Sequence, residues 1–240
     1  MFGLGTIINT VAVLAGGLIG LLCNNIIPRR VQDELPKAIG VAVMFMSIAG
    51  TLQEMFTVTD GTIESNGTLM MIICIVLGTL VGSLLDIDKR IEQFGNFLKR
   101  KTHSENDSGF LDGFITTSLT VCIGAMAVVG AIQDGLTGDY SLLLAKSILD
   151  FIMLIIMTSS LGKGCIFSVI PVVVLQGGFT LLAKVIEPLM TPAATSNLSL
   201  TGSVLIFCVG LNLVRKNSVK VANMLPAIVF AVAWAFLPNG

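Results

Sequence analysis

Leu142-Leu143-Leu144-Ala145-Lys146-Ser147-Ile148-Leu149-Asp150-Phe151-Ile152-Met153-Leu154-Ile155-Ile156-Met157-Thr158-Ser159-Ser160-Leu161 is an apolar run broken by two opposite charges. A hydrocarbon core about 30 Å thick needs roughly 20 apolar residues per helical crossing, so the run predicts a transmembrane helix. Lys146 and Asp150 stand four apart and fall on one helix face, where they can pair. An ionised group at bilayer depth costs at least ~2.5 kcal/mol on insertion scales, and it belongs beside a partner or a cavity. This stretch predicts the fold class and the first candidate site together.

Outward from it, further apolar segments fall at 4–26, 37–57, 68–87, 110–132, 164–187, 197–214 and 219–237. Over the whole chain 54% of residues are hydrophobic and 12% charged, against about 25% charged in a soluble domain. The expected fold is all-α, a polytopic transmembrane helical bundle of about eight spans. One integral membrane domain, 1–240, then divides into a first half at 1–101, central spans four and five at 110–161, and a second half at 164–240.

The basic residues set the expected orientation, because Lys and Arg flanking spans are retained in the cytoplasm. Arg29, Arg30 and Lys37 lie between spans one and two; Lys89, Arg90, Lys99, Arg100 and Lys101 between three and four; Lys163 between five and six; Arg215, Lys216 and Lys220 between seven and eight. The intervening connections, including 57–67 and 134–141, carry no Lys or Arg, which places both termini outside. The amino terminus lacks the basic region of a cleaved signal peptide, so the first apolar stretch is expected to remain as a helix. Ile87, Ile91, Phe94 and Leu98 recur at helical spacing opposite Lys89, Arg90, Lys99 and Arg100. That pattern fits either a helix on the membrane surface, drawn to anionic headgroups at about 1 kcal/mol per basic residue, or a cytoplasmic extension of span three. Residues 102–109 read as a loop joining the halves.

Shifted against itself by roughly 160 residues, the chain matches Gly16-Gly17 with Gly177-Gly178, Ile27-Pro28 with Glu187-Pro188, and Gly50 with Gly210. Spans one to three then correspond to spans six to eight. Five spans separate the members of each pair, so the copies cross in opposite directions and form an inverted repeat, the arrangement that lets two halves exchange outward-open and inward-open states. The alternative is chance agreement between apolar sequences. A local echo pairs Gly50-Thr51-Leu52-Gln53-Glu54 with Gly130-Ala131-Ile132-Gln133-Asp134.

Candidate ion- or substrate-binding residues are Asp150, Lys146, Ser147, Gln133, Asp134, Asn9, Gln176 and Asn212, with Thr10 and Asn223 as further polar residues at membrane depth. Gln133-Asp134-Gly135 and Gly138-Asp139-Tyr140 are expected to form an outer approach that concentrates cations. Each amide also has a packing explanation, since interhelical hydrogen bonds in membranes stabilise by about 0.6 kcal/mol on average. Gly16, Gly17, Gly177 and Gly178 fit either close helix packing or unwound segments offering backbone groups to a substrate. The five cysteines are widely spaced in apolar segments and read as packing residues, and His103 is the sole histidine, in a hydrophilic stretch. With no metal-ligand cluster, nucleophile–base pairing or phosphate-cradling loop, neither enzymatic activity nor a cofactor or metal is expected. A net charge of −1 gives no case for nucleic acid. The expected partners are the bilayer, a small ion or solute, and a second copy of the chain if it oligomerises.

Gly5-Thr6-Ile7-Ile8-Asn9-Thr10 with Gly16-Gly17, Gly130-Ala131-Ile132-Gln133-Asp134-Gly135, Leu144-Ala145-Lys146-Ser147 and Asp150 together resemble the YqgA/YdfK family, over essentially the whole chain. The resemblance implies a bacterial inner-membrane protein of a family without an established function, described as a sodium channel or pump and linked by name to biofilm behaviour. It implies no residue roles. Three functions are carried forward: a secondary transporter of a small ion or polar solute, an ion channel, and a non-transporting protein of envelope organisation.

Overall fold

The computed structural model describes residues 3–24, 28–59, 62–104, 109–122, 125–215 and 218–237. Ile27 of the repeat, Asp60 and Gly61, residues 105–108 of the joining loop, and Lys216 lie outside them. Helices α1 (Leu4–Asn24), α2 (Arg29–Met55), α3 (Thr68–Leu84), α4 (Ile87–Lys101), α5 (Phe110–Cys122), α6 (Ala125–Thr137), α7 (Ser141–Leu161), α8 (Val169–Leu181), α9 (Ala183–Ile186), α10 (Pro192–Val214), α11 (Val221–Met224) and α12 (Pro226–Trp234) follow in order. A 3-10 turn, Lys163–Ser168, leads into α8. Strands β1 (Phe56–Thr59) and β2 (Thr62–Ser65) pair antiparallel, Phe56 opposite Ser65, in the connection after α2.

Among the described residues, five segments are long and apolar enough to cross a membrane: Leu4–Cys23, Glu34–Met55, Ser141–Leu161, Lys163–Leu181 and Pro192–Val214. Two bent pairs, α3 with α4 at 55° and α5 with α6 at 58°, raise the number to seven, and the shorter apolar helix Val221–Trp234 stands where the eighth segment is expected. Among the described residues the bundle is thus all-α apart from one hairpin. In α1 the outward stripe Ile7, Val11, Leu14, Leu18 and Leu22 is exposed while Asn9 and Val13 are fully buried. Such an apolar stripe at helical spacing is the face a bilayer covers.

Small residues bring the helices close. Gly5, Gly16 and Gly20 of α1 each sit against the residue 135 positions further on, Tyr140, Phe151 and Ile155, so α1 and α7 run parallel in constant register. A Cβ on Gly16 would lie 2.5 Å from the Phe151 carbonyl oxygen. Helices α2 and α10 are antiparallel: Gly40 and Gly210 each abut the other's carbonyl oxygen, Gly50 abuts Ser203, and the Ser196 hydroxyl donates to Glu54 at 2.7 Å.

The glycine pairs are helical. Gly16 and Gly17 lie inside α1 and pack on α7 and on Ile166; Gly177 and Gly178 lie inside α8 with open space beside them. Neither pair unwinds its helix, which corrects the reading of them as broken segments. Because α8 stops at Leu181, the segment drawn to 187 also ends early, and Lys184 falls in the short, exposed α9. Helix α4 docks on the bundle: Leu98 is buried with Phe110 and Phe114, and the Phe94 ring meets that of Phe114 at 6.0 Å.

Candidate functional site

Helices α1, α6, α7 and α8 converge on a buried polar cluster. Because α7 is continuous through Lys146 and Asp150, the two side chains stack one turn apart and form an ion pair. Their residues are only 7% and 8% exposed, so the pair points into the bundle rather than at lipid. From α1, the Asn9 amide donates to Gln176 Oε1 of α8 at 3.0 Å and also stands within interaction range of the Asp150 carboxyl. Asn9 Oδ1 and Gln176 Nε2 are left buried without partners. An unmatched buried polar atom costs about 1–3 kcal/mol. Ser147 is buried too, but its hydroxyl turns back to the Leu143 carbonyl at 2.6 Å, within its own helix.

One turn nearer the amino terminus of α1, Thr6 N–H donates to Asp134 Oδ2 at 3.1 Å, and the Thr6 and Thr180 hydroxyls meet at 2.9 Å. The first amides of a helix have no partner within it and attract negative charge, and Asp134 of α6 supplies that charge from a distant part of the chain. The expected outer approach is therefore corrected. Residues 133–135 continue α6 instead of forming a connection, Asp134 is 0% exposed, and Gln133 is exposed on another face of the helix. Of the pair, only Asp134 joins the cluster. Gly135 makes this possible, since its Cβ would fall 2.3 Å from the Thr180 carbonyl oxygen. Asp139 does lie in an exposed connection, where the hydroxyl and the N–H of Ser141 hold its carboxyl below the usual range.

Asn212 is not part of the cluster. It sits at the opposite end of the bundle and clasps Val219 with two bonds, Nδ2 to the Val219 carbonyl at 2.7 Å and Val219 N–H to Oδ1 at 2.9 Å. Asn223 likewise has a local task, accepting from the Asp88 N–H at 2.8 Å at the start of α4. The polar path through Asn9, Gln176 and Asn212 is thus broken into two places.

The second place is a cavity of about 520 Å³, walled by apolar side chains such as Leu119, Leu161 and Leu213 and rimmed by Lys37, Asp88, Glu92, Asp112 and Lys220. Lys220 stands 3.8 Å from Asp88. Between cavity and ion pair lies a packed, largely apolar layer built from Val13, Val43, Val121, Leu154, Met157 and Leu213, with the Thr117 hydroxyl bonded to Met157 Sδ. Sequence reasoning missed the cavity because its rim residues come from four separate segments, α2, α4, α5 and the connection before α11, and it missed Thr6 and Thr180 because lone threonines carry no signal at membrane depth.

Several apolar crossings folded around an interior ion pair define a polytopic helical membrane protein. More narrowly, the chain belongs to the family described as Protein of unknown function (DUF554), whose profile matches residues 4–236. It is 28% identical over 224 residues to "Uncharacterized membrane protein YdfK" of Bacillus subtilis (strain 168), covering 93% of this chain and 92% of the relative. It is also 28% identical over 233 residues to "Uncharacterized protein YqgA" of Escherichia coli (strain K12), covering 95% and 94%. No solved structure matches. The resemblance seen in the motifs around Asn9, Asp134 and Lys146 is borne out.

Proposed function

We propose that this protein is a secondary transporter of a small ion or small polar solute, not an enzyme, working by alternating access around the Lys146–Asp150 pair. The observation that carries the reading is the burial of both charges inside the bundle, with Asn9, itself bonded to Gln176, within range of the Asp150 carboxyl. Ionisable groups held inside a membrane bundle mark substrate or ion paths more often than they mark stability. Asp150 binds the cation, Lys146 competes as its internal counter-charge, and Asn9 and Gln176 supply the adjoining polar surface. The basic end, with Lys37, Lys163 and Lys220, faces the cytoplasm of a bacterial inner membrane, and both termini lie outside.

An inverted relation between spans one to three and six to eight is part of the proposal. The antiparallel packing of α2 on α10 supports it, because the repeat offset of about 160 residues carries the Gly40–Gly210 contact close to the Gly50–Ser203 contact at the other end of the pair. Reciprocal contacts of this kind are those a two-fold axis generates. The packed, largely apolar layer beside the ion pair favours a carrier over a channel, which needs one continuous wet path.

Proteoliposome flux tests the proposal. Asp150→Asn abolishes saturable uptake and Lys146→Ala changes its cation dependence; unchanged saturable transport in both variants removes the assigned site, and single-channel current steps in planar bilayers replace the carrier with a channel.

A further inference from the structure

Asp134 is the buried charge that the proposed transport site does not use. Its carboxylate is 0% exposed, and among the described residues its hydrogen-bond donor is the Thr6 N–H, which binds Oδ2. The other oxygen, Oδ1, is buried with no partner. A capping role accounts for Oδ2 and leaves Oδ1 unexplained. The partial positive charge at a helix amino terminus, roughly half an elementary charge, offsets only part of a carboxylate's charge, and a buried ion without full compensation is costly.

Two hydroxyls stand close by. Thr6 contributes a hydroxyl beside the amide that binds Asp134, Thr180 contributes a second at 2.9 Å from it, and Gly135 holds α6 against α8 at the Thr180 carbonyl. One unfilled carboxylate oxygen with two hydroxyls nearby is a hard donor set, of the kind that selects alkali and alkaline-earth ions over softer metals. A single carboxylate, partly offset by the end of α1, matches one positive charge rather than two.

We propose that Asp134, Thr6 and Thr180 form a site for an alkali-metal cation at the amino-terminal end of α1, separate from the Lys146–Asp150 pair. The site ties α1, α6 and α8 together, so its occupancy stabilises the fold whether or not the protein transports anything. Loss of flux in the Asp150 variant therefore leaves it standing.

Thermal unfolding of the purified full-length protein in detergent, at constant ionic strength, decides the matter. Lithium, sodium and potassium chloride are each exchanged against choline chloride. At least one alkali cation raises Tm saturably, by roughly 5 °C at hundredfold excess over its Kd, while choline does not. Asp134→Asn keeps an acceptor for the Thr6 N–H and so keeps the cap, but loses the shift. Thr180→Val, which leaves the cap untouched, weakens the apparent affinity about tenfold. Asp150→Asn retains the shift. Equal effects of all salts, a shift that survives Asp134→Asn, or one that is lost only in Asp150→Asn overturns the proposal.

Discussion

Single glycines illustrate how a residue's worth is set by what it touches. A Cβ on Gly82 of α3 would lie 1.9 Å from the Asn223 carbonyl oxygen, whereas one on Gly178 of α8 meets nothing within 4 Å. Gly82→Ala is expected to lower stability by about 1–3 kcal/mol through overpacking against backbone. Gly178→Ala is expected to be neutral, or to gain up to about 1 kcal/mol from helix propensity. Thermal unfolding in detergent measures both, and equal effects would remove the packing argument. At this scale the sequence is legible where spacing carries the message: Lys146 and Asp150 pair because they are four apart on one helix. Asp134 is misread because its partner, the Thr6 amide, lies 128 positions away and a backbone N–H has no sequence signature. Asp139 is simpler. Its lowered pKa means that the Ser141 bonds stabilise the folded state at neutral pH and are lost as pH falls through the lowered value. Ser141→Ala should return the carboxyl toward 3.8 in a site-resolved NMR titration, and an unmoved titration would contradict the assigned cause.

Among the elements, periodicity locates helices better than it locates their ends. The apolar segments at 4–26, 68–87 and 142–161 coincide closely with α1, α3 and α7, because long apolar runs leave a membrane chain few alternatives. The segment at 110–132 becomes two helices and runs on to Thr137, since polar Gln133 and Asp134 are compatible with a helix once one faces outward and the other caps α1. The hairpin at 56–65 is not anticipated, although Thr57, Val58, Thr62 and Ile63 are β-branched residues that favour strands. For α4, the recurrence of Ile91 and Leu98 identifies an apolar face correctly, but periodicity cannot say whether lipid or protein covers it, and here α5 does. Asn212 shows how an element is anchored. Its two bonds to Val219 fix the turn between α10 and α11, so Asn212→Leu, which loses both, should destabilise the fold by about 2 kcal/mol at roughly 1 kcal/mol per bond. Proteolysis within 215–221 is the readout, and an unchanged cleavage rate would show that the turn holds without the clasp.

Across the molecule, the polar cluster and the charged cavity stand on either side of an apolar layer. Along α7, Asp150 and the cavity residue Ser160 are ten positions apart, about 15 Å of helix, and Leu154 and Met157 fill the interval with Val121 and Leu213. The proposed carrier, at rest with its inner mouth open and its site closed, would need such a barrier, because water and ions cross a packed apolar layer poorly. Cys122 reports on it from the far side: it packs against that layer and lies within electrostatic range of Lys146 and Asp150. In a chain with the other four cysteines replaced by alanine, a membrane-impermeant thiosulfonate applied to the basic face should leave Cys122 largely unmodified. With Cys122 also replaced, Ser160→Cys should react readily. Truncating the layer by Met157→Ala, at a cost of about 2–5 kcal/mol to folding, should then open Cys122 to the reagent, and modification is scored only in protein that remains monodisperse. Rapid labelling of Cys122 without the truncation would mean that the cavity already reaches the ion pair, and the closed-gate account of this conformation would give way to a continuous inner pathway.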